Sequence, residues 1–142
     1  MEILFDSIRV DKPSLNYEKV ALWLNDAAID NNRKIKELSI VYCDDDYILE
    51  VNKKFLNHDF YTDIITFDYS KKSYISGDLL ISLDTVRSNA QKYKTDFSCE
   101  LCRVMVHGVL HLLGFNDHSD DEKKLMRQKE DYYLEKLSKY LC

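Results

Sequence analysis

Apolar and polar positions alternate in short runs through the first half of the chain and recur at helical spacing through the second. Glu2–Asp6 reads as a short strand. Pro13 followed by Ser14 predicts a helix start, and Val20, Leu24, Ala27 and Ala28 then recur on one helical face up to Asn31-Asn32. In Glu37–Cys43, Leu38, Ile40 and Tyr42 alternate with Ser39, Val41 and Cys43, which predicts a mostly buried strand. Asp44-Asp45-Asp46 suits the cap of a helix running through Ile48, Leu49, Val51 and Phe55. Ile64–Tyr69 and Asp78–Ser82 read as strands, separated by the polar turn Ser70-Lys71-Lys72-Ser73.

Beyond Ser82 the pattern is helical. Asp84–Tyr93 is one predicted helix, and Phe97–Leu113 is a second, strongly apolar one that stops at Gly114. Asp120–Leu141 is a third, with Met126, Tyr133, Leu137 and Tyr140 as its apolar stripe. Strands first and helices later predict an α+β domain. The expectation is one compact domain over residues 1–142, with a small mixed sheet of about four strands packed against several helices.

Composition narrows the class. At 142 residues with 45% apolar positions, the chain suits one domain with a sizeable core. Three glycines and one proline exclude linker-rich and collagenous classes. The net charge of −5 provides no global basic field, although Lys53, Lys54 and Lys92 could form a local basic patch. No uncharged apolar run reaches the ~18–20 residues of a membrane span. The first residues lack a basic segment leading into an apolar one, so no export signal is read. Cys43, Cys99, Cys102 and Cys142 are therefore expected as reduced thiols in a cytoplasm. Cys99-Glu-Leu-Cys102 lies within an amphipathic helix with no second pair, which favours packing thiols over zinc or redox chemistry.

Three of the four histidines and two of the three glycines fall within residues 107–118. On a helix, His107 and His111 stand one turn apart and project from one face, close enough to grip a single ion. Gly114 is placed to reverse the chain and return Asp117 or His118 over that ion as a third ligand. Three protein ligands leave the fourth tetrahedral position to water, the arrangement of a catalytic zinc. Metalloproteases of the His-Glu-x-x-His type carry their general base directly after the first histidine. Gly108 stands there, which disfavours peptide hydrolysis.

The run His107-Gly108-x-Leu110-His111-Leu112-x-Gly114-Phe115 resembles the signature of the YbeY endoribonucleases, the bacterial ribosomal-RNA maturation factors. Upstream, Asn52-x-x-Phe55, Thr62-Asp63-Ile64-Ile65-Thr66-Phe67 and Gly77-Asp78-Leu79-Leu80-Ile81-Ser82 are similar to further elements of that family in the same order. The acidic Ser119–Glu122 run is also similar, and the likeness spans roughly residues 37 to 135.

The resemblance implies a compact α+β fold and one Zn²⁺ ion held by three residues. It also implies a single-strand-specific endoribonuclease acting in 16S rRNA 3′-end maturation and ribosome quality control. The implied partners are ribosomal RNA and the small ribosomal subunit, with no membrane and no DNA. The family's third ligand is usually a histidine ten residues after the first. Asp117 occupies that position here, so the implied metal group is His107, His111 and Asp117, with His118 one residue later as the alternative. An aspartate ligand lowers the site's charge by one and acidifies bound water less.

A second departure is Leu56, where the family commonly has an arginine facing the cleaved phosphate. Arg103 lies one helical turn before His107 and could supply the cation instead, the alternative reading being a surface arginine or a salt bridge to a neighbouring carboxylate. His58 and Asp63 lie in a stretch matching the family's pocket wall. His58 is expected as a phosphate contact or acid, and Asp63 as a supporting or capping carboxylate. Two other readings are a ribosome-assembly binding factor with a mainly structural zinc, and another metal-dependent hydrolase.

Overall fold

In the computed structural model, which describes residues 1–57 and 62–141 (the side chains of 138–141 excepted), nine elements alternate around one mixed sheet. They are β1 (Glu2–Ser7), α1 (Tyr17–Asp30), β2 (Lys34–Cys43), α2 (Asp45–Leu56), β3 (Ile64–Asp68), β4 (Tyr74–Ser82), α3 (Leu83–Lys92), α4 (Phe97–Leu112) and α5 (Asp120–Leu141). The strand order is β1-β2-β4-β3. β1 and β4 run parallel to β2, and β3 pairs antiparallel with β4 at the edge. This is the α+β architecture expected, with four strands and five helices among the described residues. No helix there is long and apolar enough to cross a membrane.

Three boundaries differ from expectation by three residues or more, the others by one at most. α1 starts at Tyr17, because Asn16 supplies the cap by accepting from the Lys19 N–H at 3.2 Å, while Pro13 and Ser14 lie in the approach to it. β2 starts at Lys34, three residues early. A bulge between Ile35 and Glu37 sets buried Ile35 and Leu38 three positions apart, which breaks the period of two. β4 begins at Tyr74, not Asp78. Its first half is masked by Ser76, whose N–H is held by Ser70 Oγ at 3.0 Å, although Ile75 is fully buried.

The two faces of the sheet carry unequal loads. Leu38, Ile40, Tyr42, Ile75, Leu79 and Ile81 face the main core with α1, α4 and α5. Cys43, Ile65 and Leu80 face α2 through Ile48 in a smaller cluster. α4 is apolar nearly all round because it lies at the centre of the main layer. Trp23 Nε1 donates to the Tyr133 carbonyl at 2.8 Å, and Tyr133 Oη donates to Asp30 at 2.8 Å, which locks α5 onto α1. Met126, Tyr133 and Leu137 of the expected α5 stripe are buried; the Tyr140 side chain lies outside the described set.

Two glycines set the spacing between α4 and the sheet. A Cβ on Gly108 would stand 2.7 Å from Leu79 Cδ1 and 2.9 Å from Ile64 Cδ1. Position 108 therefore faces the sheet, and no side chain there could reach the histidine face. A Cβ on Gly77 would strike the Phe67 carbonyl of the neighbouring strand and come within 2.9 Å of Leu112 Cδ2. Because a backbone atom cannot swing aside, Gly77→Ala should destabilise the fold by about 1–3 kcal/mol. Urea unfolding would read this as a lower midpoint at unchanged slope; an unshifted midpoint would refute the packing assignment.

Candidate metal centre

The site begins with the way α4 ends. Gly114 has φ 104°, and its N–H donates to the His111 carbonyl at 3.0 Å. The Phe115 N–H donates to the Leu110 carbonyl at 3.0 Å, so the two bonds together form a Schellman turn. Phe115 packs back on the main core. Four residues on, Ser119 Oγ accepts from the Glu122 N–H at 3.1 Å while Glu122 accepts from the Ser119 N–H at 2.9 Å, a capping box that starts α5. Only residues 116–118 connect these two fixed points. Asp117 is thereby carried over the end of α4.

His107 and His111 project from one face of α4, with their Nε2 atoms 3.0 Å apart. Asp117 closes the group, with Oδ2 3.4 Å from His107 Nε2 and Oδ1 3.5 Å from His111 Nε2. Donors about 2.1 Å from a tetrahedral zinc stand about 3.4 Å from one another, so these separations suit a shared ion. Two imidazole nitrogens and a carboxylate oxygen are also the donor types zinc accepts. The three residues could hold a metal ion. His118 points into solvent.

Electrostatics distinguish the two histidines. Burial opposes a proton on His107, but the hydrogen bond and charge of Glu130, aided by Asp117 and Asp63, outweigh it and raise the imidazole above its ordinary value. For His111, burial and then the neighbouring His107 lower the pKa. Asp63 sits at the mouth of β3, and its carbonyl accepts from the Ser82 N–H at 2.9 Å. Burial raises its carboxyl pKa, while the His107 charge pulls it partly back.

An open cavity of about 430 Å³ gives access to the group. Thr62, Asp63, Thr66 and Asp68 form one wall, and His107, His111 and Asp117 form the other. A smaller cavity of about 200 Å³ lies behind His107, where Asp63, Arg103 and Glu130 meet.

The other expected site residues are distributed as follows. Arg103 lies on the face of α4 that carries His107, but both Nη atoms are engaged: Nη1 with Glu130 at 2.9 Å and Nη2 with Asp131 at 2.6 Å. Leu56 ends α2 as an exposed side chain. His58 lies outside the described residues. Cys99 is exposed and Cys102 buried, so the two thiols do not face a common site; burial pushes Cys102 up to about 12. Sequence reasoning missed Glu130, a buried carboxylate on α5 whose Oε2 lies 2.7 Å from His107 Nδ1. The signal was present: Met126, Glu130, Tyr133 and Leu137 share one helical face, and only one of them is charged.

Known proteins resemble the chain over nearly its whole length. The family described as Endoribonuclease YbeY matches residues 7–138. The chain is 44% identical over 137 residues to the Endoribonuclease YbeY of Azobacteroides pseudotrichonymphae, covering 96% of this chain and 99% of that protein. It is 44% identical over 134 residues to that of Parabacteroides distasonis, covering 94% of each. Among solved structures it is similar to the solution structure of TM1509 from Thermotoga maritima. That likeness has a TM-score of 0.70 and 25% identity, and covers 96% of this chain and 89% of the other. The chain belongs to the YbeY endoribonuclease family.

Proposed function

We propose that the protein is a zinc-dependent endoribonuclease that cleaves single-stranded ribosomal RNA in the cytoplasm, in 16S rRNA 3′-end maturation and ribosome quality control. The observation that carries the reading is the His107, His111 and Asp117 group, with donor separations of 3.0, 3.4 and 3.5 Å, open to a cavity of about 430 Å³. Family membership supports RNA as the substrate, since its relatives bear the name of an endoribonuclease.

One ion at the group would supply Lewis-acid polarisation of a phosphoryl oxygen and acidify water beside it. The chain's own residues hold and frame the reacting phosphate. His107, His111 and Asp117 are the ligands. Asp63 faces them across the cavity and is assigned as the proton-accepting carboxylate, with His58 as an additional phosphate contact.

The −5 charge argues that RNA is held by local contacts and not by the overall field. A second reading, an assembly factor whose zinc is mainly structural, draws on exposed Leu56 at the family's arginine position and on the ion-paired state of Arg103. The two readings part on whether a folded, ligand-deficient variant retains its cellular role.

RNA cleavage should stop on chelation and in His111→Ala, and return to the chelated wild type on adding zinc; undiminished cleavage by the metal-free protein would refute the mechanism. Asp63→Asn should fold normally and lose about 100-fold in rate, the scale of a proton-transfer group. His118→Ala should retain both zinc and cleavage, whereas Asp117→Ala should lose both.

Protons compete with the metal for the two imidazoles. His107 is raised and His111 lowered, so His107 protonates first as pH falls. Zinc affinity should therefore weaken about tenfold per pH unit below the His107 pKa, and more steeply only once His111 also charges. Calorimetric zinc titrations between about pH 8 and pH 5 would show this as single-proton release; a pH-independent affinity would contradict it.

A further inference from the structure

We propose that Glu130 is the positioning residue of the metal group and that Arg103 acts through it, so that the grip on the ion depends on α5 being docked. The inference rests on the metal reading above and adds residues outside the ligand set. Glu130 lies between Met126 and Tyr133 on the buried stripe of α5 and is only 6% exposed. A carboxylate at that depth is tolerated only when its oxygens are paired. Oε2 meets His107 Nδ1 at 2.7 Å, and Oε1 meets Arg103 Nη1 at 2.9 Å. The remaining guanidinium arm reaches Asp131 at 2.6 Å. Two successive turns of α4 are thus pinned by two adjacent residues of α5.

The consequence for the ion is chemical. A carboxylate on Nδ1 fixes the proton there, which leaves the lone pair on Nε2, the atom facing His111 and Asp117. It also stops rotation of the ring out of the ligand plane. Without Glu130, the imidazole is free to take the other tautomer, whose Nε2 cannot bind metal. Arg103 holds the glutamate in place through Nη1 at 2.9 Å. With both arms engaged, Arg103 is a clamp on Glu130, in contrast to the phosphate-facing cation expected from its position one turn before His107.

Glu130→Gln preserves shape and a hydrogen-bond acceptor but removes the charge, and Arg103→Gln removes the clamp. Zn²⁺ affinity of the full chain, measured by competition with a chromophoric chelator, should fall about tenfold in Glu130→Gln and approach 100-fold in Glu130→Ala. Arg103→Gln should also fall, and the double variant should bind no more weakly than Glu130→Gln alone, because one residue acts through the other. The visible spectrum of the Co²⁺-loaded protein should shift in the same variants, a signature that a purely structural role would leave in place. Far-UV circular dichroism of each metal-free variant confirms the fold; if Glu130→Ala fails to fold, the near-isosteric glutamine variant decides.

A folded Glu130→Gln with wild-type zinc affinity and an unshifted Co²⁺ spectrum overturns the inference and leaves the metal reading standing. Wild-type protein that takes up no zinc overturns both. Arg103→Gln that keeps zinc affinity yet loses cleavage overturns the clamp and returns Arg103 to the substrate.

Discussion

A helix end of fixed shape is the constraint from which the site follows. Two histidines one turn apart on α4 supply two donors on one face, but two donors do not define a catalytic metal site. The third arrives because Gly114, at φ 104°, takes a backbone conformation that costs other residues about 1 kcal/mol or more and so reverses the chain within a single turn. The Ser119–Glu122 capping box starts the next helix almost at once. Asp117 has little freedom between these two anchors, so its carboxylate reaches the histidines without a long loop to order. Most of the ordering entropy is met by the fold, before any ligand binds.

The fold in turn packs α4 on two sides. Gly108 lets the helix lie close against Leu79 and Ile64, and Gly77 does the same for the sheet beneath Leu112. β3, at the sheet edge, turns Ile65 and Phe67 toward α2 while Thr66 and Asp68 line the cavity opposite the histidines. α5 closes the remaining side, bound to α1 through Trp23 and Tyr133 and to α4 through Arg103 and Glu130. The elements that make the core are thus the ones that place His107, His111 and Asp117.

Local rules carried the sequence reading a long way. The histidine spacing and the terminating glycine are short-range features, and both are present in the structure. The third-ligand position followed from family spacing, and the structure sets Asp117 beside both histidines with His118 in solvent. What escaped was non-local or irregular. The bulge near Lys36 broke the alternation that would have revealed the start of β2. Gly108 was legible as the absence of a protease base, but its physical cause is contact with a strand about thirty residues away in sequence. Glu130 touches His107 across 23 positions. Only a charged residue in register with an apolar stripe announced it, and the ion pairs of Arg103 with Glu130 and Asp131 likewise cross between helices distant in sequence.

The proposed mechanism needs a single zinc held by His107, His111 and Asp117. Anomalous diffraction collected above and below the zinc edge, on crystals of protein purified without chelator, tests it most directly. One peak is expected, present only above the edge, about 2.1 Å from Nε2 of each histidine and from an Asp117 carboxylate oxygen. A peak ligated by His118 in place of Asp117, or no peak between the two histidines, would contradict it.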